Sequence, residues 1–455
     1  MNYQEATRYL ISLGNEVRAS ASDSVHAFKL GLENITELLR DLDNPQNAYP
    51  SMLVAGTNGK GSVAAMLDAV LQAADGGTGN FRTGLYTSPH LVEINERIQV
   101  GGRRIPPEEF AALFDFLCGR MERLLANGSL KFHPTYFECL TAMAMEYFRR
   151  ERCPLVVFEV GMGGRLDATN VATPKIAVIT EIDFDHERFL GRTISAIASE
   201  KAGIIKPGIA VITSATHPEA LEVIRAKARE QNARLIETAR EYSVDDVSDD
   251  EGRHSFVAVH RDGFRLPVTL ALRGRHQIGN ALAVIAAARE LMNMGFPLRL
   301  DHVTHGLAAA KWPGRLERIH EKPTVYLDGA HNPSGARALA EFWKEHFASG
   351  RIILVYGAMR DKAVPEIAEI LFPRASEVIL TRPEQFRSAS PETIRELAAH
   401  LNGNIICEQE PWDALQVALR MASPDDAIFV TGSLFLVGDV KRMIAEHSLA
   451  SCDHS

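Results

Sequence analysis

Short apolar runs rich in β-branched residues recur along the chain, and longer stretches with helical spacing follow them. The clearest runs lie at 52–55, 155–160, 176–180 and 210–213. A strand covered on both faces needs apolar side chains at every position, so these runs predict buried strands of a parallel sheet. Helical patterns follow at 62–73, 135–150, 194–202 and 218–231, and an apolar-rich one spans 277–292. Alternation of this kind predicts α/β layering around a mainly parallel sheet. Segment 241–265 differs: Asp245, Asp246, Asp249, Asp250 and Glu251 precede the alternating SFVAVH. It reads as a solvated turn beside a β-ribbon in preference to a metal site. A second α/β series begins after Pro323, with strands expected at 325–327, 352–356, 378–381, 405–407 and 427–431. The helical segment before it gives way to WPGR near Lys311–Pro313. The expected domains are therefore 1–311 and 312–455.

Composition narrows the class. The 455 residues suit two large domains or three ordinary ones. Apolar residues at 46% and charged ones at 24% exclude a mainly disordered chain. With 49 basic against 58 acidic residues, a net charge of −9 leaves no footprint for nonspecific nucleic-acid binding. The cysteines at 118, 139, 153, 407 and 452 form no CxxC pair, so they suggest free thiols in a reducing compartment. No apolar run reaches the roughly 18 residues of a membrane span. The opening MNYQEATRYLISLGNE is acidic and amphipathic, unlike a signal peptide. The polar tail after Ala450 is expected to fray. Together these features predict a cytoplasmic protein without membrane or nucleic-acid partners.

The strongest local motif is LVAGTNGKGS at 53–62. An apolar strand enters Gly56, Gly59 and Gly61, and a helix is expected from Ser62. Glycines let the backbone approach an anion closely, and the helix N-terminus offers N–H groups to phosphate. Lys60 is placed to reach β/γ-phosphates, and Ser62 to meet phosphate or Mg²⁺. The spacing departs from GxxxxGK[ST], with a glycine between Lys60 and Ser62. A glycine-rich turn without a ligand is the plain alternative; strand, loop, lysine and helix together favour nucleotide.

GTNGKGS resembles the P-loop of the Mur ligase superfamily, and within it the folylpolyglutamate synthase/dihydrofolate synthase family matches best. The resemblance extends through LGLENI at 30–35, NPQ at 44–46, LYTSPHLVEINERI at 85–98, FEVGMGGRLDATN at 158–170 and DHERFLGRT at 185–193. It continues in SEKAGIIKPG at 199–208, WPGRLE at 312–317 and LDGAHNP at 327–333, while 218–270 and 334–455 are less diagnostic. It implies a P-loop-containing Mur-ligase-like N-terminal domain with a pterin site and a smaller Rossmann-like α/β ligase domain at the C-terminus. It also implies ATP-dependent ligation of L-glutamate to dihydropteroate, giving dihydrofolate, and to the γ-carboxyl of reduced folylpolyglutamates, through an acyl phosphate. A monomer is implied as well. Three alternatives stand beside it: a folylpolyglutamate synthase alone, a Mur-type amino-acid ligase for a UDP-sugar, and a non-catalytic nucleotide-binding regulator. SPHLVEINERI and RLDATN speak against the UDP-sugar ligase.

The resemblance carries roles onto particular residues. Asn58, Gly59, Lys60, Gly61 and Ser62, with Asn280, Arg315 and Asp328, are implied nucleotide contacts. Ser88, Glu159 and His186 are implied Mg²⁺ ligands. Glu159 closes an apolar strand, where a carboxylate can face a nucleotide pocket, and it suits a hard cation. Lys201, in SEKAGI, reads alone as a solvated helix residue; the resemblance implies a carbamylated lysine, which requires an amine kept neutral by burial. Leu30, Gly31, Thr135, Phe137, Asp167 and Ala168 are the implied pterin contacts. Phe137 suits stacking and Asp167 suits pterin N–H groups, though core packing and helix capping explain them equally. His331 is a further candidate near the reacting phosphoryl group.

Overall fold

The computed structural model describes residues 1–19 and 31–447. Leu30, Cys452 and the tail after Ala450 lie outside them. The chain divides into two compact units. The first comprises Met1–Asp245, Val257–Val268 and Gly279–Ala310; the second comprises Asp246–Phe256, Thr269–Ile278 and the chain from Lys311 onward.

Eight strands form the sheet of the first unit among the described residues: β1 (Ser51–Ala55), β2 (Gly84–Tyr86), β3 (Ile98–Val100), β4 (Arg103–Arg104), β5 (Val156–Glu159), β6 (Ile176–Ile179), β7 (Ala210–Thr213) and β8 (Arg234–Glu237). Their order is β4-β3-β2-β5-β1-β6-β7-β8. All neighbours are parallel except β2–β3 and β3–β4. β1 lies between β5 and β6, and every one of its side chains is buried, which is why SMLVA carries no charge. The helix Lys60–Asp75 leaves β1 through the glycine loop and is buried along most of its length. Helix Leu300–Ala309 crosses behind it at Gly306, where an added Cβ would stand 2.4 Å from Val70 Cα. Only glycine permits so close a backbone approach.

The segment after β8 forms β9 (Tyr242–Asp250), β10 (Arg253–His260) and β11 (Arg265–Arg273), ordered β11-β10-β9. Here the sequence expectation needs correction. Asp245, Asp246, Asp249 and Asp250 lie within β9, and only Glu251 and Gly252 make the turn. β9 is an edge strand whose side chains are largely exposed, so charged residues there are tolerated.

The sheet of the second unit contains β12 (Glu317–Glu321), β13 (Thr324–Leu327), β14 (Ile352–Tyr356), β15 (Glu377–Leu380), β16 (Ile405–Cys407) and β17 (Ala427–Thr431). The order is β12-β13-β17-β14-β15-β16, and only β12–β13 is antiparallel. Tyr326 stacks on Phe429 at 5.0 Å, and the buried Trp343 ring lies 5.1 Å from the same phenyl, which ties helix Pro333–His346 to the sheet. Among the described residues no helix is long and apolar enough to cross a membrane. Cys118, Cys139, Cys153 and Cys407 are free thiols.

Candidate active site

In the first unit the chemistry collects at the carboxyl ends of β2, β5, β1 and β6, where loops leave a parallel sheet. The loop after β1 is built by its glycines. Gly59 caps the following helix at φ 88°, a left-handed conformation that suits glycine. An added Cβ there would also meet Asn280 Oδ1 at 2.5 Å. The helix starts at Lys60, two residues before the predicted start, because Gly59 completes the turn early. Thr180, just past β6, holds the loop from the side: its hydroxyl lies 2.6 Å from the Asn58 carbonyl and 3.2 Å from that of Ala55. The Thr57 N–H donates to the Glu181 carbonyl at 2.8 Å, and its hydroxyl donates to that of Asp183 at 2.9 Å.

Two lysines converge on this loop. Lys60 Nζ donates to the carbonyls of Gly56 and Thr57, each at 3.0 Å. Lys201 Nζ reaches the same Gly56 carbonyl at 2.7 Å from helix Ile194–Ala202. Lys201 is only 4% exposed, so it is not the solvated helix residue that its local sequence alone suggests. Burial drives its pKa well below the ordinary lysine value, and the Lys60 charge adds to that; Asp185 and Asp167 act in the opposite sense. The product is an amine biased toward its neutral form beside a phosphate loop.

Glu159 ends β5 and is buried. Its Oε2 accepts the Ser88 N–H at 2.9 Å, because β2 and β5 are parallel neighbours. Ser88 and Glu159 thus sit on adjacent strand ends, and a carboxylate with a serine hydroxyl is a donor set that fits a hard cation such as Mg²⁺. His186 follows β6, has φ 51° and caps the short helix Glu187–Leu190; its Nε2 lies 3.8 Å from Asp185.

The implied pterin residues are less open. Thr135 caps helix Tyr136–Arg150: its hydroxyl accepts the Glu138 N–H at 3.3 Å while the Glu138 carboxylate accepts the Thr135 N–H at 2.8 Å. Asp167 is buried and accepts from the Met162 N–H at 2.9 Å, the Thr169 N–H at 3.0 Å and the Thr169 hydroxyl at 2.6 Å. Burial raises its pKa against those bonds. Phe137 is half-buried, packed on the core and 6.0 Å from the Tyr86 ring; a Cβ at Gly161 would strike its ring at 2.5 Å. Ala168 is buried, Gly31 is half-buried, and Leu30 is outside the described residues.

In the second unit Arg315, Asp328 and His331 gather at the end of β13. Asp328 is buried and accepts the N–H groups of Leu316 and Ala330, each at 2.9 Å. Burial raises its pKa, while Arg315 and His331 pull it down. Arg315 donates to the Gly314 carbonyl at 3.0 Å, and His331 Nδ1 lies 2.8 Å from the Gly329 carbonyl. Helix His276–Asn293 begins within one residue of the expected 277, which sets the Asn280 amide one turn in, against Gly59.

Sequence reasoning passed over Thr57, Thr180 and Asp185. Thr180 had a visible signal, a polar residue closing an apolar run beside the one that feeds the loop. Asp185 was quoted only as part of a motif, and its electrostatic effect on Lys201 depends on three-dimensional proximity.

Comparison with known proteins assigns the class. The Mur ligase middle domain matches residues 123–288, and the Mur ligase glutamate ligase domain matches 314–434. With the lysine-bearing loop and strand-end carboxylate, this defines an ATP-dependent amide-forming ligase of the Mur type. A Bacillus subtilis relative named dihydrofolate synthase/folylpolyglutamate synthase is 35% identical over 421 residues, covering 91% of this chain and 95% of its own. A solved Mycobacterium tuberculosis folylpolyglutamate synthase complexed with ADP and AMPPCP has a TM-score of 0.84 at 33% identity, over 91% of this chain and 95% of that one. E. coli FolC in complex with DHPP and ADP has a TM-score of 0.81 at 30% identity, over 96% of this chain and 98% of that one. The chain belongs to the dihydrofolate synthase/folylpolyglutamate synthase family.

Proposed function

We propose that this chain joins L-glutamate to dihydropteroate, and to the γ-carboxyl of reduced folylpolyglutamates, at the expense of ATP. The observation that carries the reading is the meeting of Lys60 and Lys201 on the Gly56 carbonyl of the phosphate loop. The acceptor carboxylate attacks the γ-phosphorus, a new P–O bond forms and ADP leaves. The glutamate amine then attacks the acyl carbon, and the tetrahedral intermediate expels phosphate and loses the amine proton. Lys60 and Arg315 stabilise charge on the transferring phosphoryl group. Asn58, Gly59, Gly61 and Ser62 cradle the phosphates, with Asn280 and Asp328 as further nucleotide contacts and His331 near the reacting group. Ser88, Glu159 and His186 would hold Mg²⁺, which neutralises phosphate charge when bound.

The neutral bias of Lys201 suits addition of carbon dioxide to its amine, so the lysine serves as a carbamate that helps hold the metal. Intact-protein mass spectrometry in bicarbonate should show the adduct in the parent chain and not in Lys201→Ala. An adduct in both would remove the assignment. Gly31, Thr135, Phe137, Asp167 and Ala168, with Leu30, are proposed to line the pterin site. Residues 1–311 and 312–455 are the proposed domains. The same reading makes the protein a cytoplasmic monomer working on small molecules, without nucleic acid.

The deciding experiment is ADP release with Mg²⁺-ATP and L-glutamate, offering dihydropteroate and tetrahydrofolate separately. Turnover with both establishes both activities. Turnover with tetrahydrofolate alone leaves polyglutamylation and removes the pterin assignment. Silence with both, given confirmed ATP binding, rejects the proposal.

A further inference from the structure

The turn between β9 and β10 sits against the end of helix Pro333–His346 in the second unit. A Cβ at Gly252 would meet the Phe342 ring at 2.4 Å, and that ring lies 4.5 Å from the His346 imidazole. Asp249 stands at the centre. Its Oδ1 accepts the Gly252 N–H at 2.8 Å, which fixes the carboxylate. Its Oδ2 lies 3.3 Å from His254 Nδ1 and 3.5 Å from His346 Nε2.

Neither contact is a hydrogen bond, and both His254 nitrogens and His346 Nε2 are buried without a hydrogen-bond partner. His254 is 2% exposed, so its ring is withdrawn from bulk solvent. Two imidazole nitrogens therefore converge on one carboxylate oxygen without bonding to it. Bonds of 2.0–2.1 Å at tetrahedral angles place neighbouring ligand atoms about 3.3–3.4 Å apart, close to the 3.5 Å between Asp249 and His346. A carboxylate oxygen of Glu345 joins two of these residues: ligand atoms of Asp249, Glu345 and His346 all lie within 4.8 Å of one another, a group that leaves His254 outside.

We infer that Asp249, Glu345 and His346 form a binding site for a divalent transition-metal ion of the zinc class, with the buried His254 imidazole against the same Asp249 oxygen. An imidazole with two carboxylates suits zinc, whereas Mg²⁺ and Ca²⁺ prefer oxygen throughout. Two carboxylates balance the charge of the ion. His346 is the last residue of its helix, where the dipole also favours a cation. The Gly252 N–H on Asp249 Oδ1 is the outer contact that orients a metal-binding carboxylate. The ion clamps the β9–β10 turn to the helix, a structural role separate from the phosphate loop.

The test is titration of the chelator-stripped full chain, free of Mg²⁺, with Zn²⁺ by calorimetry and with Co²⁺ by visible absorption. One tight equivalent is expected, with the intense d–d bands of a four-coordinate site and a rise in melting temperature. His186→Ala, which removes a proposed Mg²⁺ ligand, should retain it. His346→Ala and Asp249→Asn should weaken it by at least about a hundredfold and lose the Co²⁺ bands. His346 is partly exposed at a helix end, so its variant tests the site even where His254→Ala fails to fold. Absence of binding, binding unchanged in His346→Ala, or binding lost only in His186→Ala would each overturn the site.

Discussion

The phosphate loop and the segment around Asp167 follow neighbouring parallel strands, β1 and β5, yet they commit their polar groups in opposite ways. At the loop, Lys60 rests on two backbone carbonyls that phosphate oxygens can replace. Around Asp167, both carboxylate oxygens accept hydrogen bonds from the segment's own Met162 and Thr169. A ligand reaching for Asp167 must compete with those bonds. Residues that resemblance assigns to one site thus divide into groups available for chemistry and groups that also hold the fold.

Substitutions can break this comparison. Lys60→Ala should lower turnover by at least 10²–10³-fold, on the order expected for a lost electrostatic group, with an unchanged melting temperature. Near-normal ADP release in that variant would place the chemistry elsewhere. Asp68, buried in the helix behind the loop, sharpens the contrast. Burial raises its pKa to about 7, so the folded chain holds a proton that the unfolded chain releases above about 4. Its contribution to stability therefore falls as pH rises through that window and levels off above 7. Asp68→Asn should be more stable than the parent at pH 8 by on the order of 4 kcal/mol, and about equal at pH 4. Urea midpoints at the two pH values measure the difference; a parallel pH response of parent and variant would count against a buried proton.

Asp167→Ala should cost on the order of 2 kcal/mol by orphaning buried donors. An unchanged urea midpoint with a raised KM for dihydropteroate would move Asp167 to the ligand-binding group. Thr135→Ala should lose about 1 kcal/mol, the usual effect of removing a helix cap, and Thr135→Ser should restore it.

Much of the fold was legible because a buried parallel strand cannot hide: SMLVA, VVFE and IAVI read as apolar runs in any frame. β4, β8 and β12 were not, because short or edge strands carry polar residues, as in RR, RLIE and ERIHE. The loop and its lysine were legible because glycine, lysine and helix are adjacent in sequence. The burial of Lys201 was not, since its neighbours Ser199 and Glu200 resemble a solvated helix face and only tertiary packing encloses its amine. Asn280 shows the same limit, being brought to Gly59 from more than two hundred residues away.

Gly306 gives the phosphate loop a mechanical dependence on a remote position. Val70 lies ten residues after Lys60, about 15 Å along a rigid helical rod. A methyl group at Gly306 would press on the rod near its far end, and a tilt of about 5° there would carry Lys60 sideways by about 1 Å. Displacements of that size can cost on the order of 10² in rate. The glycine therefore acts as an alignment stop: a lesion there would spare every side chain of the site and still misdirect the ammonium on which phosphoryl transfer depends.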